Sequence, residues 1–216
     1  MYDALILLSG GLDSSVNLYT ACAEGKKVLA LSFDYGQKAA SNELKAAAKL
    51  CKLLSCKHKI HKLDFFKSWT KTSLINPKKD IPTNIKLNSK KETKNSAKQV
   101  WVPNRNGVFL NIAASFAESL DIPVVYAGFN KEEAETFLDN SKDYVKAVNK
   151  ALSFSTLNKV KIKSYTQNLN KNQIYKKALN LNIPIAKLWS CYFNGKTPCK
   201  ECESCQRFFK AHKFNS

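Results

Sequence analysis

Apolar residues in this chain gather into short unbroken runs, and amphipathic stretches separate them. Residues 4–8 form the first run, and the amphipathic stretch 16–24 follows it and closes at Gly25. A second run covers 28–33. Over 43–54 the apolar positions Leu44, Ala47, Ala48, Cys51 and Leu54 recur at helical spacing. A weaker strand pattern occupies 58–63. Runs that are apolar at every position suit strands covered on both faces, so the alternation predicts a parallel, doubly wound α/β sheet. Further on, 108–119 reads as a helix with Phe109, Ile112, Ala113 and Phe116 on one face, and 124–128 as a buried strand. A helix over 143–154, a short strand over 160–162 and a helix over 173–181 complete the series.

The rhythm breaks twice. Residues 66–99 are poor in apolar side chains and rich in Lys, Asn, Ser and Thr, which predicts a mobile loop that covers a substrate. The end of the chain is dense in cysteine. The organisation expected is an α/β domain over 1–185 with a small segment over 186–216 packed on it.

Composition refines this picture. With 44% hydrophobic residues in 216, a full core is expected and disorder is not. The first residues show neither a basic segment nor a small-residue cleavage site, and no apolar run reaches membrane-spanning length, so a soluble cytoplasmic protein is expected. The net charge of +18 raises nucleic acid as a partner. The lysines are nevertheless scattered, and the densest group, between Lys86 and Lys98, lacks interleaved aromatic residues. That group reads as a solvated face, and nucleic acid is not the expected partner.

The first candidate chemistry directly follows the first strand, at Ser9-Gly10-Gly11-Leu12-Asp13-Ser14-Ser15. Glycines let backbone N–H groups approach a phosphate chain, Ser14 and Ser15 offer caps to the next helix, and that helix's N-terminus attracts negative charge. Asp13 supplies a carboxylate suited to Mg2+. The spacing is neither that of the kinase and GTPase loop nor that of the dinucleotide fingerprint.

The second is metal chemistry. Of seven cysteines, four fall at Cys191, Cys199, Cys202 and Cys205. Four soft ligands with no fifth partner suit a closed tetrahedral zinc site with a structural role. Lys196, Lys200, Arg207 and Lys210 would offset its charge. An iron–sulfur cluster fits less well, because the spacing from Cys191 departs from the ferredoxin run. Cys22, Cys51 and Cys56 read as small buried hydrophobes. His58, His61 and His212 are acid–base candidates by residue type only.

The glycine-serine loop resembles the phosphate-binding signature of the ATP pyrophosphatase, or PP-loop, superfamily. Three more segments narrow the likeness: 32–38 (Ser-Phe-Asp-Tyr-Gly-Gln-Lys), 102–110 (Val-Pro-Asn-Arg-Asn-Gly-Val-Phe-Leu) and 188–192 (Leu-Trp-Ser-Cys-Tyr). Together with the four cysteines they resemble the 7-cyano-7-deazaguanine synthase family over nearly the whole chain. The resemblance implies an adenine nucleotide alpha-hydrolase-like, Rossmann-like fold and a homodimer. It also implies an ATP-dependent ligase that converts 7-carboxy-7-deazaguanine and ammonia to the nitrile for queuosine biosynthesis. No Cys/His pair is placed as a glutaminase motif, so free ammonia is the expected nitrogen source.

The resemblance assigns ATP and its Mg2+ to the run Leu8, Ser9, Gly10, Gly11, Leu12, Asp13, Ser14, Ser15, Val16, Asn17 and Leu18. Asp13 and Arg105 are the expected catalytic residues. Tyr35, Gln37, Arg105, Asn130, Glu133 and Asp139 are the expected substrate contacts. The chain departs from the family pattern at Glu133, where Asp is commoner, and over 137–141, where an Arg and a Pro are missing. A tRNA-thiolating PP-loop enzyme is the alternative, but no cysteine lies between Cys56 and Cys191 to carry sulfur.

Overall fold

The computed structural model describes residues 1–215. Strands β1 (Ala4–Leu7), β2 (Val28–Asp34), β3 (Lys57–Lys62), β4 (Val124–Tyr126) and β5 (Lys161–Lys163) form one sheet in the order β3-β2-β1-β4-β5. Every pairing is parallel, and in the central strand Leu5 lies opposite both Leu29 and Val125. The helices are α1 (Leu12–Ala23), α2 (Ala40–Leu53), α3 (Phe65–Trp69), α4 (Lys90–Val100), α5 (Arg105–Ser119), α6 (Lys131–Ala134), α7 (Lys142–Ser155), α8 (Lys171–Asn180) and α9 (Glu203–Asn215). Chain direction across the sheet reverses at β1, with β2 to one side and β4 to the other. The crevice beyond the carboxyl ends of strands at such a reversal is where open α/β sheets receive ligands.

Side chains alternate across a strand, so β1 feeds two cores. Ala4 and Ile6 pack on one face with Val16, Leu18, Leu50 and Ile174, from α1, α2 and α8. Leu5 packs on the other with Leu29, Leu31, Leu110 and Ala113, from β2 and α5. The weak third strand is an edge: of its six residues only His58 is even half-buried, and lysines line it, which discourages pairing with another chain. Among the described residues no helix is long and apolar enough to cross a membrane.

The expectation of a loop over 66–99 is corrected. Its start and end are the helices α3 and α4. Phe66 is fully buried, and Leu74, Ile75, Ile81, Ala97 and Val100 join the core below the sheet's β2 side. Helix α4 turns Thr93, Ser96, Ala97 and Val100 inward and keeps Lys90, Lys91, Lys94 and Lys98 exposed. Sparse apolar residues at the right spacing suffice for an amphipathic helix, which composition averaged over the segment conceals. The segment leans on the cysteine-rich end through the bridge between Thr83 and Cys202 and the bond from Ser96 Oγ to Glu203 Oε2 at 2.8 Å.

Candidate active site

Gly10 and Gly11 leave β1, and α1 begins at Leu12, four residues before the sequence pattern places it. The first turn of the helix is therefore part of the loop. Gly11 is the N-cap and receives no side-chain cap. Ser14 and Ser15 do not cap; their hydroxyls donate back to the Gly11 carbonyl at 3.2 and 2.7 Å. Ser14 Oγ also receives the Ser9 N–H at 3.2 Å, which closes the loop on itself.

Two glycines set the loop's clearance. Gly10 has φ +78°, and a Cβ there would meet the Glu43 carbonyl at 2.6 Å. Gly128, just beyond β4, would place a Cβ 2.8 Å from the Ser14 nitrogen. The phosphate loop is thus wedged between the first turn of α2 and the end of β4, with no room for a side chain on either flank.

Over the loop lies a cavity of about 290 Å³. Leu8, Ser9, Gly11, Leu12, Asp13, Ser14, Tyr35, Gln37, Arg105, Glu133 and Asp139 all line it. Ser15, Val16, Asn17, Leu18, Gly10 and Asn130 are not on its wall. Val16 and Leu18 are wholly buried core residues. The Asn17 side chain is engaged by the Asp13 carbonyl, Thr166 Oγ1 and the Tyr165 N–H. Asn130 lies behind Asp13, donating to its Oδ2 at 3.2 Å while its own Oδ1 accepts the Glu133 N–H.

Asp13 is the centre of charge. Lys171 Nζ sits 2.7 Å from Asp13 Oδ2 and 3.0 Å from Glu133 Oε1. Burial opposes the lysine's charge, but the two carboxylates overcome it and raise its pKa above the usual lysine range. Glu133 is raised by burial, yet Lys171 prevails and leaves it lower than an ordinary glutamate. Asp13 Oδ1 is buried and has no hydrogen-bond partner. An orphaned carboxylate oxygen at the phosphate loop fits a divalent cation arriving with a nucleotide.

Across the cavity, Arg105 Nη1 donates to the Tyr35 hydroxyl at 3.4 Å and Nε to Asn106 Oδ1 at 3.3 Å. Its guanidinium lies about 6 Å from the Tyr35 and Phe109 ring centres. No carboxylate lies within ion-pair distance of it among the described residues. Burial raises the Asp139 carboxyl, and the charge of Arg105 partly offsets that. Gln37 is less free than its place in the motif suggests. Its Oε1 accepts the Tyr35 N–H, and its Nε2 donates to the Phe33 carbonyl and to Glu43.

The sulfur atoms of Cys191, Cys199, Cys202 and Cys205 lie within 4.8 Å of one another, with Cys199 and Cys205 at 3.9 Å. Tetrahedral thiolates at a zinc–sulfur distance of roughly 2.3 Å stand about 3.8 Å apart, so the set fits. Backbone N–H groups of Phe193 and Cys199 point at Cys191 Sγ, and that of Cys202 at Cys199 Sγ. The segment also walls the cavity with Trp189, Ser190, Tyr192, Glu203 and Arg207. It is tied to the phosphate loop by the Trp189 N–H, which donates to the Gly10 carbonyl at 2.9 Å.

Sequence reasoning missed Lys171 and Glu43, and it gave Arg207 only as a counter-charge for the cysteines and Tyr192 only as part of a motif. Lys171 is one lysine among many, and its only local signal is the capping box of Asn170 and Gln173 that starts α8. The others become neighbours only through folding.

Comparison with known proteins decides the family. The sequence model for "Queuosine biosynthesis protein QueC" matches residues 3–215. The 7-cyano-7-deazaguanine synthase of Pelotomaculum thermopropionicum is 48% identical over 97% of this chain and 96% of its own. That of Carboxydothermus hydrogenoformans is 46% identical over the full length of both. The chain belongs to the 7-cyano-7-deazaguanine synthase family. A solved 4-thiouridine synthetase–RNA complex with bound ATP has the same fold, with TM-score 0.52 and 19% identity over 98% of this chain and 50% of its own. At that identity it shows the fold alone. Glu133, one of the expected departures from the family pattern, here holds Lys171.

Proposed function

We propose that this protein is an ATP-dependent carbon–nitrogen ligase that makes 7-cyano-7-deazaguanine from 7-carboxy-7-deazaguanine and ammonia. Family membership over the whole chain carries the reading, and the cavity above the phosphate loop is consistent with it. A carboxylate is a poor acyl donor. ATP activates one of its oxygens, ammonia displaces that oxygen to give the amide, and a second activation and loss of the amide oxygen give the nitrile.

The first turn of α1 receives the phosphates of ATP at the helix N-terminus. Asp13 would hold the Mg2+, whose chemistry is to neutralise phosphate charge as the activated bond forms. Lys171 then stands within reach of the same phosphates. Arg105, without an anionic partner of its own, is suited to the substrate carboxylate and to charge developing on the transferring group. Tyr35 and Asp139, which line the same cavity, are suited to contact the base. The four cysteines would hold a structural zinc, which keeps residues 186–216 folded against the 1–185 body and so keeps Trp189 and Tyr192 in the cavity wall. The family resemblance also supports a homodimer working in the cytoplasm.

Incubation of the purified protein with Mg-ATP, ammonium and 7-carboxy-7-deazaguanine, followed by mass spectrometry of the base, tests the reading. Nitrile appears with all three substrates and is absent without ATP. ATP binding with unchanged base would refute it.

A further inference from the structure

We propose that Glu43 is the proton acceptor for the nitrogen in both halves of the reaction, a role that rests on the reaction proposed above. Glu43 belongs to the first turn of α2 and lines the cavity. Its backbone carbonyl is the group that the Gly10 position abuts, so the carboxylate is anchored directly beside the phosphate loop. Gln37 Nε2 donates to its Oε2 at 2.8 Å, and Gln37 is itself held at both ends by the backbone of Tyr35 and Phe33. The glutamine at the end of β2 is therefore a positioning residue, and the glutamate it orients faces the site.

The other cavity carboxylates near the loop are already engaged. Asp13 and Glu133 share Lys171, and Glu203 is held by Arg207 and Ser96. Among the described residues Glu43 has no cation within ion-pair distance, and its Oε1 carries no hydrogen bond. Asp139 is also without an ion pair, but it lies in the short turn Leu138–Asn140, where the neighbouring Asn140 donates to its Oδ1 and, among the described residues, nothing anchors it to the phosphate loop. The groups around Glu43 are Gln37, Arg105, Asp34 and Cys191, with Tyr35 on the same wall. Burial pushes the Glu43 carboxyl up to about 7; Gln37 and Arg105 oppose this, and Asp34 and Cys191 add to it. A carboxylate matched to the operating pH both takes and releases a proton readily.

The proton accounting is direct. As ammonia attacks the activated carboxyl, the C–N bond forms and the C–O bond to the activating group breaks with its electron pair on oxygen. One N–H proton passes to Glu43. The amide nitrogen still carries two protons. Activation of the amide oxygen makes the first of them acidic, and it passes to water as the C=N bond of the imidate forms. The last goes to Glu43 while the C–O bond breaks with its electron pair on oxygen, and the nitrogen lone pair completes the triple bond. Between the steps Glu43 returns its proton to water in the cavity.

The test compares the unaltered enzyme with Glu43→Gln, Glu43→Ala and Asp139→Asn at a constant concentration of free ammonia, from about pH 5.5 to about 9. The unaltered enzyme's rate of nitrile formation rises through the ionisation of Glu43 and levels above it. Glu43→Gln loses about 100-fold or more of nitrile formation and the acid limb with it. It keeps the substrate-dependent positional isotope exchange of ATP, which needs no ammonia. Added formate restores part of the rate in Glu43→Ala. An unchanged acid limb in Glu43→Gln, its transfer to Asp139→Asn, equal loss of isotope exchange and nitrile formation, or no rescue by formate would each overturn the proposal. Failure of the unaltered enzyme to make any nitrile is a different result and defeats the proposed reaction instead.

Discussion

The phosphate loop and the wall facing it are built on opposite principles. The loop is seven consecutive residues whose shape comes from two glycines and from serine hydroxyls turned back on the Gly11 carbonyl. The wall draws Tyr35, Arg105, Asp139 and Tyr192 from four separate segments. A loop that offers backbone groups needs few side chains and can be written as a short motif. A wall that works through side chains needs particular ones at particular distances, and any segment that reaches the crevice can supply them. Trp189 joins the two, since its N–H bonds the loop at Gly10 while the adjacent cysteine segment supports the wall.

The comparison predicts where damage is severe and where it is graded. Asp13→Ala should have the largest effect. It removes the carboxylate expected to hold the cation and leaves Lys171 buried with Glu133 alone. Nitrile formation should fall by more than about 100-fold, measured by mass spectrometry. Asp13→Asn, which keeps the side-chain shape, should lose as much activity with a smaller drop in melting temperature; near-normal activity in it would remove Asp13 from the chemistry.

Next comes the metal. Cys202→Ser, or stripping with a strong chelator, should lower the melting temperature markedly, because a closed thiolate site contributes directly to folding. Cys202 is fully buried and bridges to Thr83, so the 66–99 segment should loosen together with the C-terminus. Hydrogen exchange over both stretches checks this, and metal analysis of the purified protein should find about one zinc per chain.

Gly10→Ala should be intermediate. It places a methyl group against the Glu43 carbonyl at a positive φ, at a cost of about 2–3 kcal/mol by thermal or denaturant unfolding. The stabilisation normally given by Mg-ATP should largely vanish. A variant that unfolds like the parent and still responds to ATP would show that the wedge against α2 is dispensable.

Arg105→Lys should be mildest. It keeps the charge but loses the planar fork, so KM for the carboxylate substrate should rise about tenfold while ATP binding is unchanged. A change in ATP affinity of similar size would move Arg105 from the wall to the nucleotide.

These differences also explain what could be read without coordinates. Strands β1, β2 and β4 were legible because each is a run of apolar residues with turn residues at its end. The four cysteines and the glycine-serine loop were legible because their ligands are close in sequence. Helix α4 was missed because its lysine-rich composition hides a buried stripe of four residues, Thr93, Ser96, Ala97 and Val100, only two of them apolar. Val16, Asn17 and Leu18 lie in the motif yet face away from the cavity, since consecutive helical residues point in different directions. Lys171 could not be singled out, because nothing in its neighbours distinguishes a buried ion-paired lysine from a solvated one.

The order of elements, the parallel sheet, the phosphate loop and the clustered thiols are therefore properties of the sequence itself, since local periodicity and short spacing encode them. Only the tertiary structure decided that Lys171 closes on Asp13 and Glu133, that Gln37 is spent on orienting Glu43, and that the C-terminal segment completes the cavity wall. Those contacts join residues far apart in the chain, and their geometry exists only once the sheet has brought the segments to one edge.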